Sequence, residues 1–271
     1  MSSAEPLGRV ELPYRRAPLN AASPIAVVVG ATGALGGAIV RRLRGRGVPV
    51  LAVARSGEAL AALAADDGGV LTCTADIAGD AAGPAIAEAL AAWGAPVRMV
   101  VQAAGLPAVG PLDTVDPAAL GAAVALKVGG MLRLVRATDP WLGEGSRLVA
   151  LGGHYGAEPS PHVPGAGVTN AALANLVRQL ADHYGPRGIT AHLVAPGPAD
   201  TERLRRLSAD RAAASGVDVE EILAERRAES PLGALVTPDQ VGWAVATLLD
   251  PEAAALTGST LALDMGARRG L

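Results

Sequence analysis

Apolar runs dominated by Val, Leu and Ala recur along the chain at near-regular intervals. They are the run ending at Gly30, then residues 48–54, 70–74, 98–102, 147–151, 190–194 and 260–263. Each is short and bounded by turn residues, the pattern of a strand buried on both faces. Between them the spacing turns helical, first at Ile39, Val40 and Leu43, then over residues 57–65, 82–93, 117–135, 169–184 and 239–249. Strand and helix in strict alternation predict an α/β fold, a doubly wound parallel sheet with right-handed crossovers. Residues 199–227 are helical but charged, an insertion placed before the last layer.

Residues 1–24 precede the first strand and are rich in Pro, Ala and Ser. Within them Val10, Leu12 and Tyr14 alternate with Arg9, Glu11 and Pro13, a short strand pattern. Two readings stay open: an unstructured tail, or an arm lying over the site or a neighbouring subunit. No internal repeat or linker divides the rest, so residues 25–271 read as one domain.

Composition narrows the partners. A chain of 271 residues buries about three quarters of its unfolded surface and needs no disulfide staple. It holds no Phe and only three Trp and three Tyr, so the core must be Ala, Val and Leu. A net charge of −3 without a basic block argues against nucleic acid. The single Cys73 excludes an internal disulfide, and the four His show no ligand spacing, so no metal is expected. Arg15-Arg16 before an uncharged run mimics an export signal, but Pro24 and the repeated Gly make a poor apolar core for one. No other stretch holds 18 consecutive apolar residues, so no membrane span and a cytoplasmic location are expected.

The candidate chemistry starts at Gly30, Gly33 and Gly36, spaced by three. With 34 Gly in 271 residues the spacing alone is weak; its place between a strand and a helix gives it meaning. Such a turn brings backbone N–H groups to a pyrophosphate, with the helix dipole favouring the charge. Gly30 permits the turn, Gly33 leaves room for phosphates and Gly36 allows close helix packing. A Rossmann-like dinucleotide site follows, with Thr32, Ala34 and Leu35 filling the turn. At the end of the second strand stand Arg55 and Ser56. An acidic residue there suits the ribose 2′-hydroxyl of NAD, whereas Arg suits the 2′-phosphate, so NADP(H) is expected. Lys127 is the one Lys in a long apolar helix, and a Lys is rarely buried without a role.

The order of motifs resembles the short-chain dehydrogenase/reductase family from about residue 25 to 266. Asp76-Ile77 is similar to the family's adenine-contacting pair. Gln102-Ala103-Ala104-Gly105 stands where the family has Asn-Asn-Ala-Gly and resembles the version in polyketide ketoreductases. Pro196-Gly197 with Thr201 resembles the segment holding the nicotinamide end, and Asp264-Met265-Gly266 the closing Asp-Gly-Gly. The resemblance implies a hydride-transferring enzyme on a small-molecule substrate, with helices of the kind that pair subunits into a dimer or tetramer. The charged insertion would cover the substrate as a polar lid, together with the arm.

The family's chemistry uses a Ser after the fifth strand and a Tyr-x-x-x-Lys on the next helix. Here those positions are Gly153, Ala166 and Asn170, so both hydroxyls are absent. Lys127 sits where the family has its Asn, and Lys127 with Asn170 resembles the exchanged Lys/Asn pair of polyketide-synthase ketoreductases. A missing general acid removes about 10²–10⁴-fold of rate, which leaves the hydride chemistry open. Three sources could replace it: a loop side chain, His154, Tyr155 or His162; Lys127 itself; or a substrate whose own phenol is hydrogen-bonded to the ketone. The third fits the absence of both hydroxyls and points to an aromatic polyketide in antibiotic biosynthesis. Two other classes remain: an inactive NADP(H)-binding sensor or scaffold, and a non-redox cyclase or dehydratase reusing the pocket. His183, Tyr184 and His192 read as structural.

Overall fold

The computed structural model describes residues 23–65, 67–107 and 110–269, so the strand pattern at residues 10–14 and most of the N-terminal arm lie outside the described residues. Seven strands form one sheet in the order β3-β2-β1-β4-β5-β6-β7. They are β1 (Ile25–Val29), β2 (Val50–Ala54), β3 (Val70–Thr74), β4 (Val97–Gln102), β5 (Leu142–Leu151), β6 (Thr190–Pro196) and β7 (Thr260–Leu263). Every pairing is parallel, so each connection crosses a face of the sheet. This is the Rossmann-like architecture expected from the alternation.

Period-two alternation along the strands divides the core into two layers. Ile25, Val27 and Val29 point into one, with Ile86 and Leu90 of α3 (Ala82–Trp93), Met131 and Leu134 of α5 (Gly130–Thr138), and Leu173 and Val177 of α6 (Pro164–Tyr184). Ala26 and Val28 point into the other. There they meet Ile39 and Leu43 of α1 (Ala34–Gly45), Leu60 of α2 (Gly57–Ala64), and Val241 and Val245 of α9 (Pro238–Thr247). The largest fully buried side chains are Ile, Leu and Met, as a chain without Phe requires.

Three elements depart from the sequence pattern by more than a residue or two, each for a local reason. β5 starts at Leu142, not 147, because Leu142 pairs with Val97 across a register shift that the Gly143-Glu144-Gly145 run conceals. α6 starts at Pro164, not 169; its Pro-Gly-Ala-Gly opening reads as loop, yet Pro at the first helical position suits a helix start. The helix expected over 117–135 is three pieces: α4 (Pro117–Val124), a π turn (Ala125–Gly129) and α5. Together Pro117–Trp141 is long and apolar enough to cross a membrane by length and composition, although Lys127, Arg133 and Arg136 interrupt it. In the fold this run packs against α3, α6 and β4, and its Arg133 pairs with Asp80 at 2.8 Å. The charged insertion forms α7 (Glu202–Ser215) and α8 (Val219–Ala228), packed on each other.

Candidate active site

The strand order reverses between β1 and β4, which opens a crevice at their C-terminal ends. The glycine turn lies there. Gly30 has φ +78, a left-handed conformation, and a Cβ on it would stand 2.8 Å from the Ala103 and Ala104 backbone. A Cβ on Gly36 would come within 2.1 Å of the Gly30 carbonyl oxygen, so the helix closes tightly on its own turn. Gly33 meets nothing closer than 3.3 Å. It is the N-cap of α1, with no capping side chain and no acidic residue in the first turn. The leading amides, those of Ala34, Leu35 and Gly36, therefore have no side-chain partner and present donors and a positive dipole end to the crevice. The neighbouring Thr32 is exposed within the same turn.

On the adenosine side, Arg55 and Ser56 follow β2 directly. Ser56 caps α2 by accepting from the Ala59 amide at 3.2 Å. Exposed Arg55 has no hydrogen bond or ion pair among the described residues. Asp76 is exposed, and its Oδ1 accepts from the Ala78 amide; Ile77 beside it is buried.

The π turn supplies the floor. It carries Lys127, 5 % exposed, whose Nζ donates to the Leu151 carbonyl at the end of β5. Burial, and secondarily the Arg203 guanidinium, push its pKa down to about 8. Gln102 locks the turn in place. Its Nε2 donates to the Leu126 carbonyl at 3.4 Å, and its Oε1 accepts from the Ala104 amide at 3.0 Å, which orients the Ala103-Ala104-Gly105 segment. A Cβ on Gly130 would sit 2.7 Å from Gln102 Nε2, so this Gly makes room for the lock. Gln102 was legible as the first residue of its motif, but its hold on the Leu126 carbonyl was not, and Gly130 was not among the expected site residues.

Asn170 projects from α6 to the same place, its Nδ2 2.9 Å from where a Gly153 Cβ would lie. It is 5 % exposed, and its Oδ1 has no hydrogen-bond partner among the described residues. Lys127 and Asn170 thus flank the 151–153 segment. The Ser and Tyr positions hold Gly153 and Ala166, so no hydroxyl stands there. Pro196 and Gly197 end β6 beside them, and Thr201 caps α7 by accepting from the Leu204 amide at 3.2 Å.

The loop side chains are engaged elsewhere. His154 and Tyr155 form a short 3₁₀ turn with their rings 3.9 Å apart. The Tyr155 hydroxyl accepts from Arg226 Nη1 at 2.9 Å, and Arg226 grips Glu229 at 2.6 Å. His154 Nε2 lies 3.7 Å from Glu229 Oε2. Burial lowers the His154 pKa and raises that of Tyr155. His162 is exposed in the loop. Arg226 and Glu229 are neighbours of these loop residues that the sequence did not single out, since they are more than 70 positions away. The other candidates settle into structure: His192 Nε2 lies 2.8 Å from Thr190 Oγ1, and the His183 and Tyr184 rings meet edge to face.

These features fit a dinucleotide. The uncapped α1, the unpartnered Arg55 guanidinium and the orphaned Asn170 Oδ1 each offer what a phosphate or ribose hydroxyl requires. The sequence profile of a family described as enoyl-(acyl carrier protein) reductase matches residues 30–268. The chain is a short-chain dehydrogenase/reductase. It is similar to the short-chain reductase protein NovJ of Streptomyces niveus, 27 % identical over 89 % of this chain and 93 % of that one. An NADPH-bound short-chain oxidoreductase of Pseudomonas aeruginosa PAO1, "containing an atypical catalytic center", superposes with a TM-score of 0.81. It is 27 % identical over 92 % of this chain and 98 % of that one. A point variant of actinorhodin polyketide ketoreductase, with NADPH, shares the fold at a TM-score of 0.82, 24 % identical over 90 % of this chain and 97 % of that one.

Proposed function

We propose that this dehydrogenase/reductase is an NADPH-dependent ketoreductase acting on a ketone of an aromatic polycyclic polyketide, of angucyclinone type. The carrying observation is a complete cofactor floor beside an absent acid. Lys127, Asn170 and Gln102 are in place around residues 151–153, while Gly153 and Ala166 offer no hydroxyl. In this the chain resembles the atypical angucyclinone ketoreductase of simocyclinone biosynthesis. The NADPH-bound relative with an atypical centre supports the cofactor, and Arg55 supports the extra phosphate.

Bound NADPH supplies the hydride. The chain's own part is to hold and orient. The α1 amides and Arg55 take the phosphates, Lys127 and Asn170 take the ribose end, and Ala103–Gly105 with Pro196-Gly197 wall the crevice. The α7–α8 lid excludes water, which strengthens every charge interaction beneath it. The proton comes from the substrate: a phenol hydrogen-bonded to the ketone polarises it and transfers its proton as the alkoxide develops. Tyr155, held by Arg226, and His154, turned toward Glu229, are not aimed as direct donors. The test is NADPH oxidation, followed by absorbance, with an angucyclinone ketone flanked by a free phenol and with its methyl ether. Turnover of the phenol and a loss of about 10²-fold or more for the ether support this reading. Equal turnover of both refutes the proton source; tight NADPH binding without turnover of any ketone refutes the enzyme.

A further inference from the structure

The cofactor crevice has a further wall at its outer end. β3 lies beyond β2 in the sheet, and residues 75–81 connect its C-terminal end to α3. The Ala75 amide donates to the Ala54 carbonyl at 2.9 Å, which sets this segment beside Arg55 and Ser56, on the adenosine side. Asp76 is exposed there and Ile77 is buried. The segment has little of its own to hold it. Asp76 Oδ1 accepts from the Ala78 amide at 3.1 Å, and the Asp76 carbonyl accepts from the Gly79 amide at 2.9 Å, so the turn closes only on itself.

Arg133, one turn into α5, supplies the outside hold. Its Nε donates to Asp80 Oδ1 at 2.8 Å and its Nη1 to the Ile77 carbonyl at 3.4 Å. Two donors of one planar fork thus take acceptors three residues apart, a geometry that a Lys ammonium does not reproduce. Among the described residues no other side chain from outside the segment bonds it. Glycines clear the space: a Cβ on Gly129 would stand 3.3 Å from Arg133 Nη1, and one on Gly130 3.3 Å from Ile77 Cγ1. The same stretch, residues 126–133, carries the Leu126 carbonyl that Gln102 grips and the Lys127 that reaches Leu151. One short piece of chain therefore sets both the outer wall and the floor. The ion pair itself does little for the fold. The Asp80 side chain is 94 % exposed and that of Arg133 29 %, and exposed pairs add little to stability.

We propose that Arg133 is a positioning residue for the adenosine half of the cofactor, holding residues 76–80 in the shape against which the adenine lies. The inference rests on the NADP(H) reading and names what fixes the outer end of that site. Arg133 acts through Ile77 and Asp80, not by direct contact.

The test is titration calorimetry with the two halves of the cofactor, 2′,5′-ADP and reduced nicotinamide mononucleotide. In Arg133→Gln the Kd for 2′,5′-ADP should rise about 5–20-fold, the range for a position acting through its neighbours, while that for the mononucleotide stays within about twofold. The melting temperature should move by no more than about 3 °C. Two variants separate position from charge. Arg133→Lys keeps the charge and loses the fork, so it should weaken 2′,5′-ADP nearly as much. Asp80→Ala removes a negative charge, which by field alone would tighten an anionic ligand; loss of the hold weakens it instead. Full affinity in Arg133→Gln or Arg133→Lys, or tighter binding in Asp80→Ala, overturns the proposal, as does an equal loss for both halves. If wild type binds neither half, the cofactor reading fails instead, and amide exchange in the ligand-free protein still decides the hold. There the Ala78 and Gly79 amides must exchange faster in Arg133→Gln, with Ala104 unchanged; unaltered exchange at residues 78 and 79 overturns it.

Discussion

Replacing Lys127 by Met separates the energy stored in the cofactor floor from the rest of the fold. The Lys127 ammonium is buried, and its pKa falls to about 8 from the ordinary 10.5, chiefly by desolvation. Between those values the unfolded chain binds the proton and the folded chain does not. Stability therefore rises with pH from about 8 to 10.5, and the penalty is fully present below pH 8. The full shift corresponds to roughly 3 kcal/mol. Integrated from pH 7 to 9.5, linkage returns about 2 kcal/mol to wild type. Met keeps the length of the stem and has nothing to titrate, but it leaves the Leu151 carbonyl without its donor, a loss of about 1–3 kcal/mol. Near pH 7 the two terms offset and Lys127→Met is close to wild type in stability; at pH 9.5 it is clearly weaker. Urea unfolding of both proteins at the two pH values, followed by circular dichroism, measures the difference. Parallel profiles, with a constant gap between the two proteins, would refute a buried charge at this position. NADPH affinity, measured on the same samples, should drop at both pH values.

Other outcomes follow from the same geometry. Arg55→Gln should weaken NADPH about 10–100-fold, the worth of a charge-assisted bond, and leave NADH nearly unchanged in a fluorescence titration. Gly36→Ala places a Cβ 2.1 Å from the Gly30 carbonyl oxygen, so thermal unfolding should show a loss of about 1–3 kcal/mol, accompanied by weaker cofactor binding. Tyr155→Phe should leave kcat for the phenol-flanked ketone within about threefold, because the Arg226 bond keeps that hydroxyl off the carbonyl. A buried His192, its pKa pushed down to about 4 from 6.5, binds fewer protons folded than unfolded. Stability is therefore lost as pH falls from 6.5 to 4, and His192→Leu should flatten that slope in urea midpoints taken between pH 7 and 4.5.

Much of the fold could be read from the chain because parallel strands are buried on both faces and announce themselves as unbroken apolar runs. Val27 to Val29 illustrate it: each pairs with β2 on one side and β4 on the other, and all three are buried. The glycine turn was legible because Gly30 and Gly36 are required by geometry and not merely allowed. The site was legible only as far as its contacts are local. Gly153 and Asn170 lie in neighbouring elements and were found together, whereas the hold of Arg226 and Glu229 on Tyr155 and His154 joins segments with no shared pattern. Lys127 stood out as the one Lys of its stretch, but the π turn beneath it left no mark, since Ala125 and Leu126 would sit equally well in an ordinary helix.

That π turn has a consequence for the molecule's history and for anyone redesigning it. One residue more than an α-helix needs has been spliced into the stretch between α4 and α5. Removing one position from 125–126 would restore an unbroken α-helix with α4 and α5 keeping their facing, because the wide turn is what absorbs the extra residue. What would go is the widened turn itself, and with it the hold of Gln102 on the Leu126 carbonyl. The extra residue is therefore a local device, whose loss would loosen this end of the crevice and leave the two helices where they are.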